Sequence, residues 1–157
     1  MRVELDVPKS VTEPWLWVKH EPVLAMASRR GSVEMGLHRP EMKRHTYDAG
    51  EMSLIPGHLE KWFRNENLHS LLIGISDASL TAASGGASGE VELRRADKLV
   101  DPRLGALVEV VNAERASGFP SGRLFLASIE QALAVALVNG YALRHQTSAA
   151  HDKTEEL

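Results

Sequence analysis

The hydrophobic period of the chain changes near residue 100, and this change limits the fold more than any other feature of the sequence. Before it, short apolar runs recur at Val3 to Val7, Trp15 to Val18, Val23 to Ala27, Val33 to Leu37, Met52 to Ile55, Leu59 to Phe63 and Leu71 to Ile75. Turn formers separate them: Arg30-Gly31, Arg39-Pro40, Asp48-Ala49-Gly50 and Pro56-Gly57. Many short strands with frequent turns describe an all-β barrel or sandwich rather than a parallel α/β sheet. All three tryptophans and five of the seven prolines belong to this half.

After residue 100 the period is helical. Asp101-Pro102 places a capping carboxylate before a proline whose missing N–H costs nothing in a first turn. Leu104, Leu107, Val108 and Val111 follow at i, i+3, i+4 and i+7, and Gly118 stands where a left-handed C-terminal cap would end the helix. Phe119-Pro120 breaks the chain, Ser121 offers a second cap, and a second helix is expected from about Gly122 to Arg144. Its main stripe is Leu124, Phe125, Ser128, Ile129, Ala132, Leu133, Ala136, Leu137 and Tyr141, while Leu126, Val135, Val138 and Ala142 lie elsewhere on the wheel. A helix apolar on more than one face needs more than one partner, so a surface beyond the core is expected to meet a second subunit. The stretch Leu124 to Leu143 has the length of a bilayer span, but Glu130, Gln131 and Asn139 interrupt it and no Lys/Arg cluster flanks it, so a buried helix is expected. Between the halves, Thr81 to Gly89 has no large side chain to bury; it reads as a flexible loop or as the end of a short helix capped at Ser76-Asp77. The end of the chain, from His145, returns to a polar composition.

Composition removes several functions. The 157 residues contain no cysteine, which excludes disulfides, thiol nucleophiles and cysteine-zinc sites. A net charge of −3 lacks the basic excess that phosphate binding requires, so these residues are not expected to bind DNA by themselves. Met1 to Ser10 has no signal-peptide apolar region, and a cytoplasmic setting is expected.

The run Asp101-Pro102, Leu104, Leu107, Glu114, Gly118, Pro120, Ser121-Gly122-Arg123-Leu124, Gln131-Ala132-Leu133-Ala134-Val135, Leu137 and Tyr141 resembles the paired helices behind the sensor domain of AraC-type transcriptional regulators. Upstream, Gly50-Glu51-Met52-Ser53-Leu54-Ile55-Pro56-Gly57-His58 resembles a strand and turn of the cupin-like barrel that precedes those helices. The resemblance implies a mainly β fold with C-terminal α: a cupin-like (jelly-roll) β-barrel sensor over 1–100, a two-helix antiparallel dimerisation hairpin over 101–145, and a polar tail or start of a linker over 146–157. It also implies a small-molecule effector, a homodimer, no catalysis and no cofactor. In such regulators DNA is read by C-terminal helix-turn-helix units, which this sequence lacks; the chain is expected to be the front portion of a longer regulator.

Catalytic cupins hold a metal through His-x-His, a later Glu and a further His. Here His38 and His45 stand seven apart, no His-x-His occurs, and His58 directly follows Gly57, so a His38/His45/His58 metalloenzyme is only the alternative, beside a freestanding cupin-like binding protein. Gly118-Phe119-Pro120-Ser121-Gly122 lacks the spacing of a nucleophile elbow and joins two helices, which makes Ser121 a cap. Arg29-Arg30, Arg94-Arg95 and Glu155-Glu156 read as solvated surface.

For an effector pocket the informative cluster is Trp15, Trp17, Arg44, His45, Tyr47, His58 and Trp62, which supplies aromatic walls and a few polar groups. Trp15 and Trp17 share one strand face, Leu16 and Val18 the other; alternation alone leaves open which pair points inward. For the dimer interface the expected residues are Leu107, Val111, Leu126, Ile129, Leu133, Leu137 and Tyr141.

Overall fold

The computed structural model describes residues 1–8, 13–86 and 91–143. The tail expected over 146–157 and the end of the small-residue stretch, 87–89, lie outside the described residues. Two antiparallel sheets are formed. The first runs in the order β1 (Arg2–Asp6), β8 (Ser70–Gly74), β3 (Val23–Ala27), β6 (Met52–Ile55), β9 (Ala96–Leu99). The second runs β2 (Trp15–Trp17), β7 (Lys61–Asn65), β4 (Gly31–Gly36), β5 (Lys43–Tyr47). From β2 to β8 the chain crosses between the sheets at every connection except the β4–β5 hairpin, which stays within the second sheet.

Strict alternation divides the first sheet into two unlike faces. Leu24, Met26, Met52, Leu54, Leu71 and Ile73 occupy one, and all are buried against the helices in one large core. Burying each of these side chains is worth about 1.5–3 kcal/mol. The opposite face carries Ala25, Ala27, Ser53, Ser70, Ile55 and Leu72, mostly small residues, and looks toward the second sheet.

Three helices follow or interrupt the strands: α1 (Asp77–Ala83), α2 (Pro102–Ala116) and α3 (Gly122–Tyr141). Each start has a local cause. The Ser76 hydroxyl accepts from Ser79 N at the start of α1, which resolves Thr81 to Ala83 as helix. The Asp101 carboxylate accepts from Arg103 N and Leu104 N, with Pro102 in the first turn of α2. Gly118, at φ +79°, supplies the left-handed residue after α2. Ser121 stands at the head of α3 but makes no side-chain cap; its hydroxyl donates to Glu114 Oε1 at 2.5 Å and its N–H to Glu114 Oε2 at 3.2 Å. Glu114 therefore clamps the turn from the end of α2. At the far end the Tyr141 hydroxyl donates to Asp101 Oδ2 at 2.8 Å, so the end of α3 lies beside the start of α2 and the two helices run antiparallel.

By length and composition α3 is apolar enough to cross a bilayer. Its Leu133, Ala134, Leu137 and Tyr141 are instead buried with Leu104, Val108 and Val111 of α2 and with the first sheet. Glu130 is also buried, with the Met1 ammonium donating to one oxygen at 2.8 Å and Ser76 N to the other at 3.0 Å. Burial acts to raise this carboxyl's pKa, and the hydrogen bonds from Met1 and Ser76 outweigh it, leaving the group below its ordinary value.

Two strands differ from the sequence expectation. β5 (KRHTY) and β9 (ADKL) carry charges where apolar alternation was sought; both are sheet edges, where charged side chains reach water. The expected closed barrel is a two-sheet sandwich among the described residues. No ladder joins β1 to β2 or β5 to β9, and β2 is only three residues long.

Candidate ligand site between the sheets

The inner face of the second sheet follows from the register of its strands. Trp17 pairs with Lys61 and Trp15 with Phe63, and Phe63 pairs with Met35, so these five side chains share one face with Val33, His45 and Tyr47. Large residues here oppose the small residues of the first sheet. Trp15, Trp17 and Phe63 form a ring cluster with centroids 5.4 to 6.2 Å apart. Between the sheets remains a cavity of about 40 Å³, lined by Trp17, Met35, Tyr47, Lys61 and Phe63 on one side and by Ala25, Ser53, Ser70 and Leu72 on the other. Asp6 and Glu51 also line it. Trp17 and Leu72 also line a neighbouring cleft of about 250 Å³ with Arg2, Glu4, Lys19, His20, Glu21 and Val23.

Lys61 dominates the electrostatics of this interior. It is 4% exposed, its Nζ lies 5.4 Å from the Trp17 ring and 5.6 Å from the Phe63 ring, and among the described residues its one hydrogen-bond contact is Met35 Sδ at 3.8 Å. Among the described residues no carboxylate lies within ion-pair distance of it. Burial pushes its pKa down to about 8, Arg95 adds to the shift, and Asp97, itself paired with Arg95 at 3.2 Å, opposes it. The indole Nε1 of Trp17 is also buried, with no hydrogen-bond partner among the described residues. Two donors on side chains that line one cavity thus lack an oxygen acceptor among the described residues, an arrangement that folding alone penalises. Burial likewise raises the Tyr47 phenol and lowers His45.

Of the expected pocket residues, Trp17 and Tyr47 line the cavity, and Trp15 borders it through the ring cluster while remaining 41% exposed. The tryptophan pair is therefore the inward one. His45 shares the inner face at edge strand β5, near Asp97 and Lys98. Arg44 and Trp62 fall on the opposite parity and point outward: Arg44 pairs with Glu66 at 3.2 Å, and Arg39 lies over the Trp62 ring. His58 sits in the turn after β6, edge-on to His20 at 4.5 Å between centroids and away from the cavity lining. His38, His45 and His58 are thus dispersed, and among the described residues no group of three His, Asp or Glu could hold a metal ion. Lys61, Met35, Phe63, Ser53 and Ser70 were not anticipated. The available signal was parity: in KWFRN, Lys61 shares a face with Phe63 and alternates with Trp62 and Arg64.

The expected interface residues divide. Val111, Leu133, Leu137 and Tyr141 are taken by the subunit's own core, because the first sheet and α1 cover that side of the hairpin. Leu107, Leu126 and Ile129 keep partial exposure. What α3 leaves outside is a shallow strip along Ala127, Ser128, Gln131, Ala132 and Val135, with Leu124 84% exposed one turn earlier.

No family model and no curated protein matches the chain. Among solved structures it is similar to ToxT from Vibrio cholerae, at 13% identity and a TM-score of 0.43, over 86% of this chain and 58% of that one. A second ToxT structure, from Vibrio cholerae O395 bound to (E)-4-(8-methylnaphthalen-1-yl)but-3-enoic acid, is similar at 13% identity and a TM-score of 0.42, over 87% of this chain and 59% of that one. The chain thus spans less than three fifths of the length of the ToxT chains it matches.

Proposed function

We propose that the chain is the effector-binding and dimerisation region of an AraC-type transcriptional regulator, built on a cupin-like (jelly-roll) sandwich and working in the cytoplasm without catalysing a reaction. In this reading residues 1–100 sense a small molecule, 101–145 form the dimerisation hairpin, and DNA is contacted by a C-terminal region outside this chain. The observation that carries it is the inter-sheet cavity with its aromatic wall and two buried donors that reach no oxygen acceptor among the described residues. The PSGRL and QALAV segments of the helical half support the family. Occupancy of the cavity would favour one arrangement of the first sheet and the helices behind it, and the attached DNA reader would respond to that arrangement.

A thermal-shift screen of sugars, aromatic acids and other small metabolites tests the sensing role. A ligand present at 100 times its Kd should stabilise the fold by about 2.7 kcal/mol; a hit whose effect survives Trp17→Ala and Phe63→Leu would place binding elsewhere and sink the reading. The dimer is assigned to the exposed strip of α3 together with Leu107, Leu126 and Ile129. Sedimentation of the chain should give a dimer, and a monomer at high micromolar concentration would remove this assignment.

A further inference from the structure

We propose that Lys61 and Trp17 form the anchor for the carboxylate of a small apolar acid, so that the effector is an organic anion rather than a neutral metabolite. This rests on the reading of the inter-sheet cavity as the effector site. The ammonium of Lys61 is enclosed by Trp17, Phe63 and Met35 and reaches no oxygen acceptor among the described residues. Rings and a thioether stabilise a cation but do not satisfy its three N–H donors. The Trp17 indole N–H, on the strand paired with β7, is also without an acceptor among the described residues. A carboxylate offers two oxygens with about four acceptor sites, enough to serve both groups, whereas a hydroxyl or amide would leave the buried charge uncompensated.

The surroundings specify the rest of the molecule. Ala25, Leu72 and Phe63 give the cavity apolar walls, and Ser53 and Ser70 add hydroxyls on the facing sheet. At about 40 Å³ the cavity holds the head group but not a long body. The neighbouring cleft of about 250 Å³ shares Trp17 and Leu72 with the cavity and adds Val23, and an apolar body would lie against these three, with Arg2, Glu4, Lys19, His20 and Glu21 around it. Lys61 and Met35 are unbranched, so rotation of either widens the chamber without moving backbone. Of the other charged groups around the ammonium, Arg95, just before β9, and Asp97 on β9 are paired with each other, and Asp6 and Glu51 line the same cavity.

The test compares carboxylates with their neutral amides on the purified chain: butyrate against butyramide and benzoate against benzamide, by calorimetry and tryptophan fluorescence at pH 7. The acids should bind at least about tenfold more tightly. That preference should fall to about one in Lys61→Met, which keeps the volume and removes the charge. Acids and amides binding equally to the wild-type chain, with Trp17→Ala abolishing both, would overturn the anion anchor and leave the sensing site intact. An acid preference that persists in Lys61→Met would also overturn it. If neither series binds the folded wild-type chain, the anchor falls, and a neutral hit from the wider screen that depends on Trp17 still preserves the sensing site. The wild-type comparison needs no variant, so a poorly folding Lys61→Met does not prevent a decision.

Discussion

Replacing Lys61 by methionine should make the empty protein more stable. The Lys61 ammonium has its pKa lowered from 10.5 to about 8 on folding, and each factor of ten in proton affinity corresponds to about 1.4 kcal/mol. The folded state therefore holds this charge at a cost of about 3 kcal/mol. Contacts with the Trp17 and Phe63 rings return part of it, each worth about 0.5–2 kcal/mol. Methionine fills nearly the same space against Met35 and leaves no charge to desolvate, so Lys61→Met should gain about 1–3 kcal/mol at pH 7. In a domain of this size each kcal/mol moves Tm by about 2–4 °C.

The sign against pH is fixed by linkage. The folded-state pKa lies below the unfolded one, so between about pH 8 and 10.5 the unfolded chain binds the proton and the folded chain does not; wild-type stability rises across this window. The advantage of the variant is full below pH 8 and should shrink toward zero near pH 10.5. Urea unfolding followed by circular dichroism, for both proteins at pH 7 and pH 10, measures this directly. A variant less stable than wild type at pH 7, or an advantage unchanged at pH 10, would show that an unseen acceptor already compensates Lys61 and refute the argument.

Other perturbations separate core from surface. Leu133→Ala should cost about 2–5 kcal/mol in chemical denaturation, because its side chain is fully buried between the helices and the first sheet. Val135→Glu, on the exposed strip, should change stability by less than about 0.5 kcal/mol while shifting sedimentation toward monomer. Glu130→Gln should cost about 1–3 kcal/mol near neutral pH, since the Met1 ammonium loses its charged acceptor. Because the Glu130 pKa is depressed in the fold, its stabilisation is present above the ordinary carboxylate range and is lost as pH falls through the lowered folded value; the gap between wild type and variant should close in acid. Tyr141→Phe should cost about 1 kcal/mol through loss of the Asp101 hydrogen bond.

Much of the fold was legible because burial is one-sided. β3 and β6 coincide with the apolar runs at Val23 and Met52, and α2 begins at the expected Asp101-Pro102 cap. β5 and β9 were not legible, because their charges are accommodated by edge positions that only the strand order defines. The pocket was half legible. Aromatic composition pointed to Trp17 and Tyr47, but proximity in sequence also drew in Arg44 and Trp62, whose parity turns them outward. Lys61 was missed because a lysine reads as surface by default. Its burial depends on a nonlocal fact, the pairing of β7 with a strand more than forty residues earlier that brings Trp17 beside it.

The two-faced character of the first sheet sets how far a cavity event must travel. Ser53 borders the cavity, while its chain neighbours Met52 and Leu54 are fully packed into the core that contains Leu133 and Leu137 of α3. The same holds for Ala25 between Leu24 and Met26. A displacement of one strand by an ångström at the cavity is the same displacement at the helices, delivered through a single backbone rather than along a relay of side chains. In a close-packed interior such a strand behaves as a lever without slack, and the relevant length is no more than the spacing between packed layers, about 10 Å.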